Sequence, residues 1–510
     1  MSDPTGARPL TRSAVGAPAA PVRIVHLGLG AFHRAHQAWY TQRAGDGWGI
    51  AAFTGRSPRA AEPLAAQDGV FALVERSAQS DAVEVITSIS EARDGADLQR
   101  LGELLADPQV GVVTLTITEA GYRLGPDGQL DQDDADVVAD IRALRRTSLS
   151  SSSAQPRGSR GARTESAESA LGSADLLASA EGVAPPEGMA PPEGVAPPEG
   201  AAPDGGMGEK DAPTTPLGRL LLALQARRAA GAGPIAVVSC DNIPANGAVT
   251  ARAVTALAAR VDADLAAWVR ENVSFVGTSV DRITPAHTGE VDAVIEAGWH
   301  DRATVITEPF TDWVLQGDFP AGRPAWERGG ARFVDEIGPW EDRKLWLLNG
   351  AHTILATAGP VRGYDTVAAA FADPDCRALV DAFWAEAVTC LPAGVEHVEY
   401  RRQLAERFAN ARIVHRLDQI AGETTTKIRY RIVPIVTRLR ARGEDAAACA
   451  DALAAWIAVA ADIPAADRES QAVAAAASSA DPIGELLRLV GADIDADFVA
   501  RVRGTVAATV

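Results

Sequence analysis

The stretch Arg23-Ile-Val-His-Leu27, running into Gly28-Leu29-Gly30-Ala31-Phe32-His33, decides the fold. A short β-prone run meets a Gly-x-Gly turn, and a helical pattern follows from about Arg34. That order lets the backbone turn tightly and approach a pyrophosphate at the start of the next helix. The third glycine of the usual fingerprint is absent, because position 33 is His. Outward from this turn, further strand-like runs occur at Gly49–Thr54, Val110–Thr118, Ile235–Ser239 and Val273–Val280. Helical patterns such as Leu217–Ala230 separate them. Near-continuous apolar strands alternating with helices predict an α/β fold whose parallel sheet is covered on both faces. Beyond about Pro285, long Ala- and Leu-rich segments such as Ala447–Ala461 predict a mostly helical second domain.

Two segments fall outside that pattern. Residues Met1 to about Ala20 are Pro-, Gly- and Ala-rich and aperiodic, and read as a flexible leader. Thr147–Pro216 holds a serine tract and a repeated hexad, Gly-Val-Ala-Pro-Pro-Glu at 182–187 and again at 194–199, which suits neither helix nor strand. It lacks the apolar content that offsets ordering entropy, and reads as a disordered insertion. The expected organisation is therefore a leader 1–20, a nucleotide domain 21–285 interrupted at 147–216, and a helical domain 286–510. The 510 residues carry a formal net charge of −19, which disfavours nucleic acid as a partner. Four cysteines without a C-x-x-C pair exclude a disulfide framework and a thiolate zinc site. No stretch approaches the ~18 apolar residues of a membrane span, and no signal-peptide core is present. A cytoplasmic protein, monomeric or a small homo-oligomer, is the expectation.

Candidate chemistry lies in three places. After the second strand, Thr54-Gly55-Arg56-Ser57-Pro58-Arg59 lacks the acid that usually holds ribose hydroxyls. Arg56 and Arg59 suit a 2′-phosphate, or are two solvated loop arginines. Ser239-Cys240-Asp241-Asn242 and Val280-Asp281-Arg282 end the fourth and fifth strands, the edge where ligands of open sheets bind. Lys344-x4-Asn349-x2-His352 places three polar groups on one arc of an otherwise apolar helix. A desolvated lysine suits a general base, Asn349 can donate to an alkoxide and His352 can orient a hydroxyl. On spacing alone, a helix with a snorkelling Lys, an exposed Asn and a satisfied His is the preferred reading. His33-x2-His36 is the one close histidine pair, and caps the phosphate-binding helix in this reading rather than holding a metal.

Several of these motifs occur in one order. They are Gly28–Gln37, Thr116-Ile-Thr-Glu-Ala-Gly-Tyr122, Ser239–Asn242, Val280–Pro285, Glu308-Pro-Phe310, Gly322-Arg-Pro324 and the Lys344 triplet. Together they resemble the polyol-specific long-chain dehydrogenases, the family of mannitol 2-dehydrogenases and fructuronate (mannonate) oxidoreductases. The resemblance runs from about Val22 to the C-terminus outside the insertion. It implies a Rossmann-type N-terminal domain, a helical C-terminal domain, and metal-independent hydride transfer between NAD(H) and a polyol or sugar acid in the cleft between them. It implies Lys344 as general base, Asn242 and Asn349 as an oxyanion hole, and His352 as a substrate-hydroxyl ligand. Glu119 resembles a glutamate linked to proton exchange, and Asp281 and Lys427 fall where the family lines its pocket. Gly28, Gly30, Phe32 and His33 would lie at the dinucleotide.

Three stretches depart from the mannitol enzymes. Pro58-Arg59 replaces an acidic pair, so NADP(H) is admissible beside NAD(H). Gln419 stands in place of a substrate-binding arginine, as in the fructuronate reductases, and Glu423-Thr424-Thr425 replaces an Asp-Gly-Ser. Mannitol-1-phosphate 5-dehydrogenases are relatives too, and Lys427, Arg429 and Arg431 are candidates for a phosphate cradle. A reading of another class is a non-catalytic nucleotide sensor with the Pro-rich insertion as its docking arm, which has no need of an intact Lys344, Asn349 and His352.

Overall fold

The computed structural model describes residues 6–125, 127–152, 212–460 and 469–509 of the chain. Eight strands build the main sheet: β1 Val22–Leu27, β2 Gly49–Phe53, β3 Ile89–Arg93, β4 Val112–Leu115, β5 Ile235–Ser239, β6 Val273–Asp281, β7 Asp312–Gln316 and β8 Arg332–Phe333. They lie in the order β3-β2-β1-β4-β5-β6-β7-β8. The first six are mutually parallel, β7 runs antiparallel to β6, and β8 is parallel to β7. An order of 3-2-1-4-5-6 is the doubly wound arrangement, and its reversal between β1 and β4 opens a crevice at the carboxyl ends of the strands.

The apolar runs read as strands because both faces are covered. Val25, Leu27, Val113, Leu115 and Val237 pack under the helices Leu98–Ala106, Pro216–Ala230 and Asn246–Val261. Ile24, Ala52, Val112 and Val238 face the other way, toward the helix Gln37–Ala44. Each fully buried Leu or Val contributes about 1.5–3 kcal/mol by leaving water. The helix Pro216–Ala230 shows why its ends fall where they do. The Thr215 hydroxyl accepts from the Gly218 amide, Pro216 occupies the first turn, and Gly231 closes the helix at a φ of 63°.

Three boundaries differ from the sequence expectation. From Gly6 on, the leader is part of the fold. Arg8–Pro9 pairs in parallel with Trp299–His300, Leu10 is wholly buried, and Arg12 donates to the carbonyls of Asp68, Thr87 and Ile89. A two-residue strand and a four-residue helix are too short to show a period, so composition misled. The insertion is shorter at both ends. The helix Ala135–Ser152 runs through its first six residues, and Asp140 accepts from the amides of Thr214 and Thr215. The Pro-rich hexads lie outside the described residues. The first domain extends past 285, because β7 and β8 belong to its sheet and Val305–Thr307 pairs with Phe71–Arg76 in a second, three-stranded sheet. These late strands are two to five residues long, too brief for a strand signal. The helical domain follows, from the helix Gly338–Arg343 onward, around a separate apolar core.

Candidate active site

The segment Lys344–Gly350 is a π-helical turn set between the helices Gly338–Arg343 and Ala351–Val361, not the plain α-helix expected. Bonding from i to i+5 brings Lys344 and Asn349 closer to register than an α-helix would. Side chains from elsewhere stabilise the widened turn. Trp384 Nε1 donates to the Leu347 carbonyl (2.7 Å), and Arg431 and the Thr353 hydroxyl both donate to that of Asn349. Gly350 is needed for packing, since a Cβ there would lie 2.7 Å from the Phe383 ring.

This turn faces the carboxyl ends of β5 and β6. Lys344 Nζ donates to Asn242 Oδ1 at 2.6 Å and to the Val280 carbonyl at 2.9 Å. Burial pushes the Lys344 ammonium below its ordinary value, with Asp281 opposing that and Arg407 adding to it. An amine with two N–H groups so engaged has its lone pair left for a third direction. Asn242 is exposed, and with Oδ1 held by Lys344 it presents its NH2 group. His352 is buried, with its ring 4.9 Å from both Phe408 and His415. Burial, then the charges of His415, Arg407 and Arg431, keep it neutral. Its Nε2 has no partner among the described residues. The structure thus brings Lys344 and Asn242 into contact and sets Asn349 and His352 on the same continuous helical segment.

Other residues picked from sequence are placed differently. Both oxygens of Asp281 are taken by Arg407 (2.7 and 2.9 Å), which also forks onto Glu308 (2.7 and 2.8 Å). Burial alone would raise the Asp281 carboxyl, but Arg407 and Lys344 hold it below its usual value. Asp281 is therefore committed to an ion-paired lock that joins the helix His397–Phe408 to the first domain. Glu119 is exposed, on the short turn after β4. That turn is fixed by Asp241, which accepts from the Thr118 amide and the Tyr122 hydroxyl, each at 2.7 Å. Lys427 donates to the carbonyls of Ile420 and Gly422, and Gln419 is exposed. Arg407, Tyr400 and His415 escaped the sequence reading. They carry no local motif, and Arg407 meets its partners 126 and 99 residues away in the chain.

The Gly28–Phe32 turn suits a dinucleotide. Gly28 has a φ of 110°, and a Cβ there would lie 2.1 Å from the Thr116 carbonyl oxygen. Gly30 starts the helix Ala31–Ala35 without a side-chain cap, so the first amides of that helix remain for a ligand. His33 is a correction. It is wholly buried beneath the turn, stacked on His26 with ring centroids 3.4 Å apart, and neither caps the helix nor reaches a ligand surface. His36 is buried too, its Nε2 at the Asp312 carbonyl. Phe32 stacks on His36 and stays partly exposed. Arg56 and Arg59 are exposed after β2, and no carboxylate pairs with either among the described residues. Gly55 is held there by Arg219 (2.7 Å). Among the described residues no helix is long and apolar enough to cross a membrane.

Comparison with known proteins gives a consistent picture. The sequence profile of the mannitol dehydrogenase Rossmann domain matches residues 22–328, and that of the mannitol dehydrogenase C-terminal domain matches residues 336–506. The chain is 32% identical to D-mannonate oxidoreductase of Escherichia coli over 81% of its own length and 74% of the relative's. It is also 32% identical to mannitol 2-dehydrogenase of Cereibacter sphaeroides, over 84% and 78%. D-Arabinitol 4-dehydrogenase of Ralstonia nicotianae matches at 32% over 86% and 83%. Among solved structures, Pseudomonas fluorescens mannitol 2-dehydrogenase in complex with NAD and D-mannitol aligns with a TM-score of 0.66 and 30% identity, covering 96% of this chain and 92% of the other.

Proposed function

This chain belongs to the mannitol dehydrogenase family, and from that premise we propose that it oxidises a secondary alcohol of a polyol or sugar acid to the ketone, and reverses that reaction, with a nicotinamide dinucleotide. The observation that carries the reading is the Lys344 amine, lodged between Asn242 and the end of β6 at the mouth of the crevice. The backbone from Gly28 to Phe32 would hold the pyrophosphate, and the loop Thr54–Arg59 the adenosine ribose. NAD(H) is the cofactor in this reading, by analogy with the mannitol 2-dehydrogenase complex. NADP(H) is accepted as well, because the loop holds no carboxylate to repel its phosphate. Bound there, the dinucleotide supplies the hydride acceptor or donor.

The chain's own residues manage the proton and the charge. Lys344 takes the hydroxyl proton on Nζ during oxidation and returns it during reduction. Asn242 and Asn349 donate N–H groups to the oxygen as it gains alkoxide character. The neutral imidazole of His352 positions a neighbouring hydroxyl. Glu119, exposed beside the crevice, suits proton exchange with solvent. Substrates of the mannitol–fructose or mannonate–fructuronate type fit this chemistry.

The test is an absorbance assay of NADH and NADPH against fructose, fructuronate, tagaturonate and fructose 6-phosphate. Lys344→Ala is expected to lower kcat by about 10³- to 10⁴-fold with nucleotide Kd nearly unchanged. Wild-type-like turnover in that variant would refute Lys344 as the base. Nucleotide binding without turnover on any substrate would favour the sensor reading.

A further inference from the structure

The helix Thr424–Arg431 carries three cations, and their surroundings differ. Lys427 lies on the carbonyls of Ile420 and Gly422, at the end of the preceding helix Leu417–Ala421. Arg429 forks onto both oxygens of Glu469 at 3.1 Å and reaches the Leu489 carbonyl. Arg431, one helical turn beyond Lys427, reaches back to the segment that bears the triplet. Its Nη1 donates to the Asn349 carbonyl (3.1 Å) and the Thr353 hydroxyl (3.0 Å).

Among the described residues no carboxylate pairs with Arg431, its Nε and Nη2 have no hydrogen-bond partner, and neither nitrogen is a fully buried unpartnered atom. Half-buried Arg34 and Arg219 also lack an acid partner among the described residues, but they donate to the carbonyls of Gly30, Ala303 and Gly55 and not to the segment that bears the triplet. The more deeply buried arginines are satisfied. Arg407 is neutralised by Asp281 and Glu308, Arg343 by Asp312, and Arg282 by Glu75. Arg12 and Arg227 lack an acid but donate to five and six carbonyls respectively. A partly desolvated cation with one nitrogen anchored and one edge open costs stability unless an anion completes it. Burial lowers Arg431 to about 10, and its charge is felt at both Lys344 and His352.

We propose that the open edge of Arg431 is the subsite for an anionic terminus of the substrate, a carboxylate or a phosphate on an open-chain sugar derivative. The proposal rests on the dehydrogenase reading above and names its substrate class. A planar guanidinium edge with two parallel N–H groups matches a carboxylate in two-point contact, and accepts a phosphate in the same way. Substrates with an uncharged end leave the cation unpaired.

The test compares kcat/KM of the full chain for fructose, fructuronate and fructose 6-phosphate, in wild type, Arg431→Gln and Arg431→Lys. Wild type is expected to favour one anionic substrate over fructose, and which one tells carboxylate from phosphate. Arg431→Gln is expected to reduce that preference about 30- to 100-fold, mainly through KM, and Arg431→Lys to restore part of it. Should the Gln variant fail to fold, the Lys variant and competitive inhibition of wild type by D-mannonate against mannitol carry the comparison. Turnover of fructose but of neither anion overturns the subsite, as does an equal loss on fructose and the anion in Arg431→Gln. Either result leaves the dehydrogenase reading standing. Silence on all substrates overturns both.

Discussion

Lys344 concentrates the chemistry at the residue scale. Its lowered pKa has a definite sign for the reaction: the free amine is the base in oxidation, and the ammonium is the acid in reduction. We therefore expect kcat/KM for alcohol oxidation to rise with pH and level off below the ordinary lysine range, with reduction falling over the same interval. Initial rates between pH 5 and 10 in both directions measure this. An oxidation profile still rising steeply at pH 10 would contradict a desolvated base. The triplet itself was legible in the sequence, because all three residues sit within nine positions of one apolar segment. Arg431 was visible only as one of three nearby cations. Which of them faces the triplet depends on contacts with Asn349 and Thr353, about 80 residues earlier in the chain. His33 misled for a related reason: the motif fixes its place in the chain, but not that its ring turns inward onto His26.

The π-helical turn Lys344–Gly350 is the element on which the site hangs. Its geometry depends on Gly350, whose missing side chain lets the Phe383 ring lie against the backbone. A methyl group there overpacks a wholly buried neighbour, and Gly350→Ala is expected to destabilise the protein by about 1–3 kcal/mol. Displacing the turn should also lower kcat while nucleotide Kd stays near that of wild type. Thermal melts and stopped-flow nucleotide binding together check this, and an unchanged melting temperature would show that the turn yields freely. The extra residue in the turn was not legible, since the apolar pattern of Leu345–Leu348 fits an α-helix as well. The central strands were legible because they are apolar on both faces. Edge strand β3, Ile89-Ser-Glu-Ala-Arg93, alternates weakly and carries three polar residues, so it left no comparable signal.

At the scale of the whole molecule, the two domains are held in register by the Asp281–Arg407–Glu308 lock. Arg407 comes from the helical domain, and both acids from the first, so the lock spans the boundary of the crevice. Removing the cation leaves two buried carboxylates facing each other. Arg407→Leu is expected to cost about 3–5 kcal/mol at pH 7 by denaturant titration. Without the cation, burial and mutual repulsion would raise both carboxyls above their unfolded values. The deficit should therefore shrink as the pH falls and the acids protonate. A deficit independent of pH would show that the loss is one of packing. Nothing in local sequence announces the lock, and a two-domain architecture was legible only through the change from strand to helix patterns.

The pairing of Arg8–Pro9 and the burial of Leu10 have a consequence for synthesis. Arg8–Pro9 leaves the ribosome about 290 residues before its parallel partner Trp299–His300. At roughly 5–20 residues per second, the opening strand waits roughly 15 to 60 s for its mate. During that interval Leu10 has neither the Val291–Val294 surface nor Ile306 to bury against. This early segment thus finds its place late, and the first domain closes only after translation has passed well beyond its central strands.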